Sequence, residues 1–229
     1  EWDCGDAVGM RKVVIAEQGQ RAFIMGLWEQ LRGNKVLLEE RLSALMSGSS
    51  LLEDWERTEL EAPIHLVPAS RDTTLDLALA KQIRRHLPSK PRYCQRWELL
   101  YSTSQHGISL ATFFRKTGWR SPTILVVKDD KYAVFGAYCS APWENHTSYF
   151  GTGECFVFSK KADKLRLFKW SQQNSFFQMS RKDQGIAVGG GLNNALRLDP
   201  DFLNGSSGPC ETFSSPVLSS NPTFKCLNC

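Results

Sequence analysis

The spacing of apolar residues changes near residue 97. Before it, apolar positions recur every three to four residues; after it, they alternate. Ala22, Phe23, Leu27, Trp28 and Leu31 share helical spacing, and Gly33-Asn34 marks a stop and restart. Val36, Leu37, Leu38, Leu42, Leu45 and Met46 continue the pattern to Gly48, so a helical segment is predicted over residues 1–60. "SGSSLLEDWERTELEAP" reads as a connection. "TTLDLALAKQIRRHLP" predicts a cleaner helix. Leu75, Leu79, Ile83 and Leu87 form one stripe, Thr73 with Asp76 has the spacing of a capping box, and Pro88 ends the pattern. Beyond Trp97, "WELLYS" alternates. Ser109 opens a short helix that places Leu110, Phe113 and Phe114 on one face. "TILVVKD", "YAVFGAYCS", "ECFVFS", "LRLFKW", "SFFQMS", "IAVGG" and "ALRLD" then read as short strands. Their connections are too short for crossover helices. The predicted fold is α+β: an antiparallel two-sheet β-sandwich flanked by short helices and preceded by the helical N-terminal segment.

The 229 residues, 41% hydrophobic and 23% charged, suffice for a core without staples. No apolar run reaches the roughly 18 residues of a membrane span. The start, "EWDCGD", lacks the basic and apolar regions of a secretory signal, and the missing initiator Met suggests a fragment. The end, "FKCLNC", stops within a strand-like pattern, so the last strand is expected to be cut short. The seven cysteines are irregularly spaced and suggest no disulfide framework. Cys226-x-x-Cys229 offers two of the four ligands zinc would need, so no metal is expected. The sequons at Asn145 and Asn204 are then idle, and an intracellular, reducing location is expected.

Net charge is +4, unevenly placed. Lys81, Arg84, Arg85, Lys90, Arg92 and Arg96 lie in one stretch without an acid. Two readings stand: a solvated helix end with its loop, or a contact for an acidic protein or an anionic lipid surface. Nucleic acid is not expected, because no binding motif and no interleaved aromatics accompany the cations.

Candidate chemistry centres on two glycine segments. Gly151-Thr152-Gly153-Glu154-Cys155 has no lysine, opens no helix and carries Phe156 where a dinucleotide fingerprint needs glycine. It reads as a bend entering a strand, with Cys155 half-buried. Cys155 and Val157 should face one side of that strand, and Phe156 and Phe158 the other. A nucleophilic Cys155 would need a base; His106 and His146 are the loop-borne histidines that could approach. Gly189-Gly190-Gly191 follows a strand without a GxSxG elbow, so a tight bend with positive φ is expected. Both segments should lie at one rim, as shaped loops suited to binding.

"WELLYSTSQHGISLATFF", "PTILVVKDDKYAVFGAYCSAPW", "YFGTGECFVF", "LRLFKW", "VGGG", "LDPDFLNGSSGPCETF" and "SSPVL" occur in the order of a TLDc domain. Residues 61–229 are accordingly identified as a member of the TLDc family, most similar to the TLDc domains that follow Rab-GAP-type TBC domains. Residues 1–60 would be an adaptor or the edge of another domain. "GLNNALRLD" departs from the family's usual Phe-Gly-Leu-Trp, which leaves the partner contacts open.

The resemblance implies a β-sandwich without a catalytic centre or cofactor, oxidative-stress protection, and binding to the vacuolar-type proton ATPase at organelle membranes. Candidate partner contacts are Gly151, Thr152, Gly153, Glu154, Gly189, Gly190, Gly191 and Asn193, with Arg84, Arg85, Lys90 and Arg92 on the basic stretch. Cys139 and Cys155 are candidate redox-sensitive thiols. Two rival functions remain: a vesicle-trafficking domain that meets phosphoinositides or small-GTPase machinery, and a thiol-based peroxide-handling protein.

Overall fold

The computed structural model describes residues 62–68 and 73–229; the predicted helical segment over 1–60 lies outside them. Helix α1 spans Leu77–Arg84. The predicted stripe is its buried face: Leu79, Ile83 and Leu87 are buried, with Leu75 packed beside them. Its cap differs from expectation. Asp76, not Thr73, is the N-cap, and its carboxylate accepts the Leu79 amide at 2.6 Å. Thr73 turns its hydroxyl to the Leu75 carbonyl instead. Aspartate is the stronger cap at the position next to the first helical turn. Pro88 then caps a single turn, α2 (Ser89–Arg92).

Two further helices precede the sheet: α3 (Thr103–His106) and α4 (Leu110–Thr117). Ser109 caps α4 as predicted, accepting the Thr112 amide, and Leu110 and Phe113 are buried.

Nine strands form one hydrogen-bonded ladder. They are β3 (Thr123–Asp129), β4 (Val134–Cys139), β5 (Phe156–Lys161), β6 (Lys164–Lys169), β7 (Gln178–Arg181), β8 (Gly185–Val188), β9 (Leu196–Leu198), β10 (Asn204–Ser206) and β11 (Thr223–Asn228). Their order is β6-β5-β4-β3-β11-β10-β9-β8-β7, and every pairing in it is antiparallel. The two layers of the sandwich are thus halves of one continuous sheet. Leu125, Val127, Phe135, Ala137 and Val157 from one half share a core with Ile186, Val188, Leu196 and Leu198 from the other.

The opposite face of the first half carries Val126, Tyr138, Phe156 and Phe158, and α1 covers it. Strand alternation therefore sends Val157 to one core and Phe156 and Phe158 to another, as predicted.

Three elements depart from the sequence pattern. "WELLYS" yields only β2 (Arg96–Glu98), which pairs in parallel with β1 (His65–Val67). Neither β1 nor β10 has enough residues to show a period. The turn after β5 is a two-residue hairpin with Ala162 at φ 46° and Asp163 at φ 62°, the positive-φ geometry that matches strand twist.

Candidate functional site

The Gly151–Cys155 segment is a turn bolted onto the sheet. The Thr152 amide donates to Ser140 Oγ at 2.9 Å, and the Cys155 amide to the Thr152 carbonyl at 3.1 Å. Gly151 has φ 99°. A β-carbon there would meet Gln178 Oε1 at 3.0 Å and Phe177 Cβ at 3.2 Å. Gln178 holds this corner. It is fully buried, accepts the Ala141 amide and donates to the Ala141 carbonyl, each at 3.1 Å.

Cys155 is not half-buried but buried, and sits just before β5 rather than within it. Its Sγ lies 3.3 Å from Ser140 Oγ and donates to Gln178 Oε1 at 3.7 Å. No histidine is among these partners; His106 accepts the Ser102 amide, and His146 lies tilted against the Phe150 ring. Cys139 is also buried, and desolvation, reinforced by Cys155, pushes its thiol well above the ordinary range.

The second glycine segment flanks the same loop from the other side. The Gly189 amide donates to the Phe177 carbonyl at 2.9 Å, and the Gly190 amide to Thr212 Oγ1 at 2.9 Å. Phe176 and Phe177 therefore stand between the two glycine segments, which places both at one rim. Positive φ occurs at Gly189 (76°) and Gly191 (111°), but not at Gly190. Gly190 is constrained by crowding instead: a β-carbon would come within 2.7 Å of Phe176 Cβ.

Gly189 and Gly190 are buried, so they shape the rim rather than contact a partner; Gly191 and Asn193 are exposed. Thr152, Gly153 and Glu154 are exposed as well. Between them project Leu192, Phe176 and Trp170, at 89%, 41% and 37% exposure. Sequence reasoning missed these apolar tips, and also the two buried anchors, Gln178 and Thr212. Leu192, Phe176 and Trp170 lie outside the strands, and Gln178 and Thr212 bond to partners 37 and 22 residues away, so no periodic signal marks either role.

The basic stretch divides in two. Arg84 is not a surface contact: at 1% exposure its Nε donates to the Arg92 carbonyl at 2.9 Å and Nη1 to the Ala62 carbonyl at 2.6 Å. It falls on the buried stripe, one residue from Ile83, and its planar donor fork ties α1 to α2 and to the segment before β1. Arg85 and Lys90 are exposed, as predicted. Arg92 donates from Nε to the Leu87 carbonyl at 2.9 Å.

With His86, Leu87 and Pro88, Arg92 forms one wall of a cleft of about 180 Å³; Gly153, Glu154, Cys155, Phe156 and Lys169 complete it. The basic stretch and the first glycine loop thus meet. Desolvation, then the charges of Lys169, Arg85 and Arg92, hold the His86 pKa below its ordinary value. Among the described residues, Arg85, Lys90, Arg92 and Lys169 form no ion pair with a carboxylate, and no group of three or more acidic, histidine or cysteine side chains could hold a metal.

Comparison with known proteins agrees with this architecture. The TLDc domain family model matches residues 69–229. The chain is 38% identical over 145 residues to mouse nuclear receptor coactivator 7, covering 63% of this chain and 15% of that protein. It is 36% identical over 196 residues to rat oxidation resistance protein 1, covering 78% and 23%. For the Xenopus laevis oxidation resistance protein 1 the figures are 39% over 146 residues, 63% and 17%. The chain therefore belongs to the TLDc family and spans less than a quarter of the length of these relatives.

Proposed function

We propose that this domain is a non-enzymatic interaction module that binds and regulates the vacuolar-type proton ATPase, in the service of oxidative-stress resistance. The carrying observation is the loop rim. Two glycine segments, each anchored by buried side chains, present Leu192, Phe176 and Trp170 to solvent beside Glu154 and Asn193. Apolar tips on a rigid frame are suited to partner capture, because little conformational freedom is lost on binding. The resemblance to the TLDc family supplies the pump as partner, and the similarity to oxidation resistance protein 1 supports the stress connection. The site of action is then the cytoplasmic face of an organelle membrane. Among the described residues no helix is long and apolar enough to cross a membrane.

The test is co-sedimentation of the chain with vacuolar-type ATPase complexes, with proton pumping measured in parallel. Binding that falls at least tenfold in Leu192→Asp/Phe176→Asp, with the fold intact, supports the reading. Absence of co-sedimentation, or peroxide consumption beyond one equivalent per thiol, overturns it.

A further inference from the structure

Among the described residues, no strand pairs with the outer edge of β6. Register fixes which of its backbone groups point outward. Leu165 faces Lys160 across the β5–β6 pair, yet its amide donates to Gln82 Oε1 at 3.1 Å. The Leu165 amide therefore points away from β5. Antiparallel pairs alternate between bonded and non-bonded, so the amides and carbonyls of Leu167 and Lys169, two and four residues on, point outward too. They have no other backbone partner among the described residues. At the near end, Gln82 Nε2 also donates to the Asp163 carbonyl at 3.1 Å. One side-chain amide from α1 thus pairs with this edge as a peptide group of a tenth strand would. Beyond it the edge runs to Lys169, at the mouth of the cleft.

The exposed charge around this edge is mostly positive. Lys164, Arg166 and Lys169 on β6 are exposed, as are Arg85 and Lys90, and Arg92 lines the cleft. The nearby acids are Glu154 at the cleft, and Asp76 and Asp163, both engaged by Lys160. Cations along an edge discourage pairing with a second copy of the same strand. They attract a strand of opposite charge.

We propose that the Leu167–Lys169 edge of β6 takes an acidic, extended segment of a partner protein, which adds as a strand and places a carboxylate in the cleft between Lys169 and Arg92. Backbone pairing supplies affinity and the cationic cleft supplies selection. The proposal rests on the interaction-module reading but not on the identity of the pump.

The test is a titration of the isotopically labelled full chain with a capped (Glu-Val)4 peptide, followed by amide chemical shift and hydrogen exchange. The expected result is shifts and exchange protection centred on Leu167 and Lys169. Affinity should fall at least tenfold for (Gln-Val)4, for a peptide N-methylated at alternate residues, and for the Lys169→Glu chain. Shifts confined to other surfaces, no binding, binding indifferent to N-methylation, or a preference for phosphatidylserine vesicles over the peptide would each overturn it. Pump co-sedimentation without peptide binding removes this proposal alone. Peptide binding without pump co-sedimentation removes the pump reading alone.

Discussion

Charge reversal at two adjacent arginines should have very unequal consequences. Arg84 is buried and donates to the carbonyls of Arg92 and Ala62, whereas Arg85 is exposed. In Arg84→Glu both carbonyls lose a charged donor, and a carboxylate meets them in its place. Hydrogen bonds to charged groups contribute about 1.5–3 kcal/mol each, so two of them give about 3–6 kcal/mol. Desolvation of the new carboxylate adds to the loss. Against the roughly 5–15 kcal/mol that holds a typical domain together, this consumes much of the margin. Arg84→Met separates the parts: it removes both donors without adding a charge and should cost about 3–6 kcal/mol. At about 2–4 °C per kcal/mol for a domain of this size, its melting temperature should fall by about 6–24 °C. Arg85→Glu should stay within about 0.5 kcal/mol of the parent. Thermal and urea unfolding followed by circular dichroism measure all three. If Arg84→Glu unfolds within 0.5 kcal/mol of Arg85→Glu, the assignment of Arg84 as the tie between α1 and α2 is wrong.

Gly189→Ala should destabilise by about 1–3 kcal/mol, because its φ of 76° is left-handed and the new β-carbon would lie 2.5 Å from Cys210 Sγ; urea unfolding checks this, and an unchanged midpoint refutes it. Native-state alkylation read by mass spectrometry should label exposed Cys94 well before buried Cys139, since burial raises the Cys139 thiol; equal rates would refute it. His86 should titrate below pH 6.5 by NMR, and Lys169→Glu should move its midpoint upward by exchanging a repelling charge for an attracting one; a parent midpoint at or above 6.5 refutes the cationic cleft. Because the folded pKa of His86 is lowered, the unfolded chain takes the proton first; the destabilisation is absent well above pH 6.5, builds as pH falls from 6.5 towards the folded value, and is complete below it. His86→Gln should flatten that part of the stability profile in acid-unfolding curves.

What the sequence made legible follows from how each element is specified. The strands over 123–139 and 156–169 were readable because each is long enough to alternate and sends its two faces into different cores. The α1 stripe was readable because Leu75, Leu79, Ile83 and Leu87 recur at helical spacing and pack into a single core. Arg84 was misread because charge was taken as exposure, although the residue follows Ile83 on the buried side and is occupied by carbonyls that only the fold brings near. Thr73 lost the cap to Asp76 because Asp76 directly precedes the first helical turn and is the stronger cap, whereas the capping-box spacing drew attention to Thr73. The shared rim followed from glycines flanking strands. The residues that build it, Gln178 and Thr212, act across 37 and 22 residues of sequence, where no spacing rule reaches. The cleft joins residues 86–92 to 153–169 and was invisible for that reason.

The ladder has its seam in an unusual place. β3 through β6 form a meander that can assemble by successive local pairings, and β7 through β10 form another. The strand that joins them is β11, which comes after both; the Lys225 amide reaches Asp130 Oδ1 across 95 residues. A ribosome therefore releases two incomplete half-sheets before it releases the keystone. Until Thr223–Asn228 emerge, β3 and β10 both present unpaired edges, each able to capture a strand from a neighbouring nascent chain. Synthesis slowed shortly before residue 223 would lengthen that exposure, and premature termination there would make it permanent.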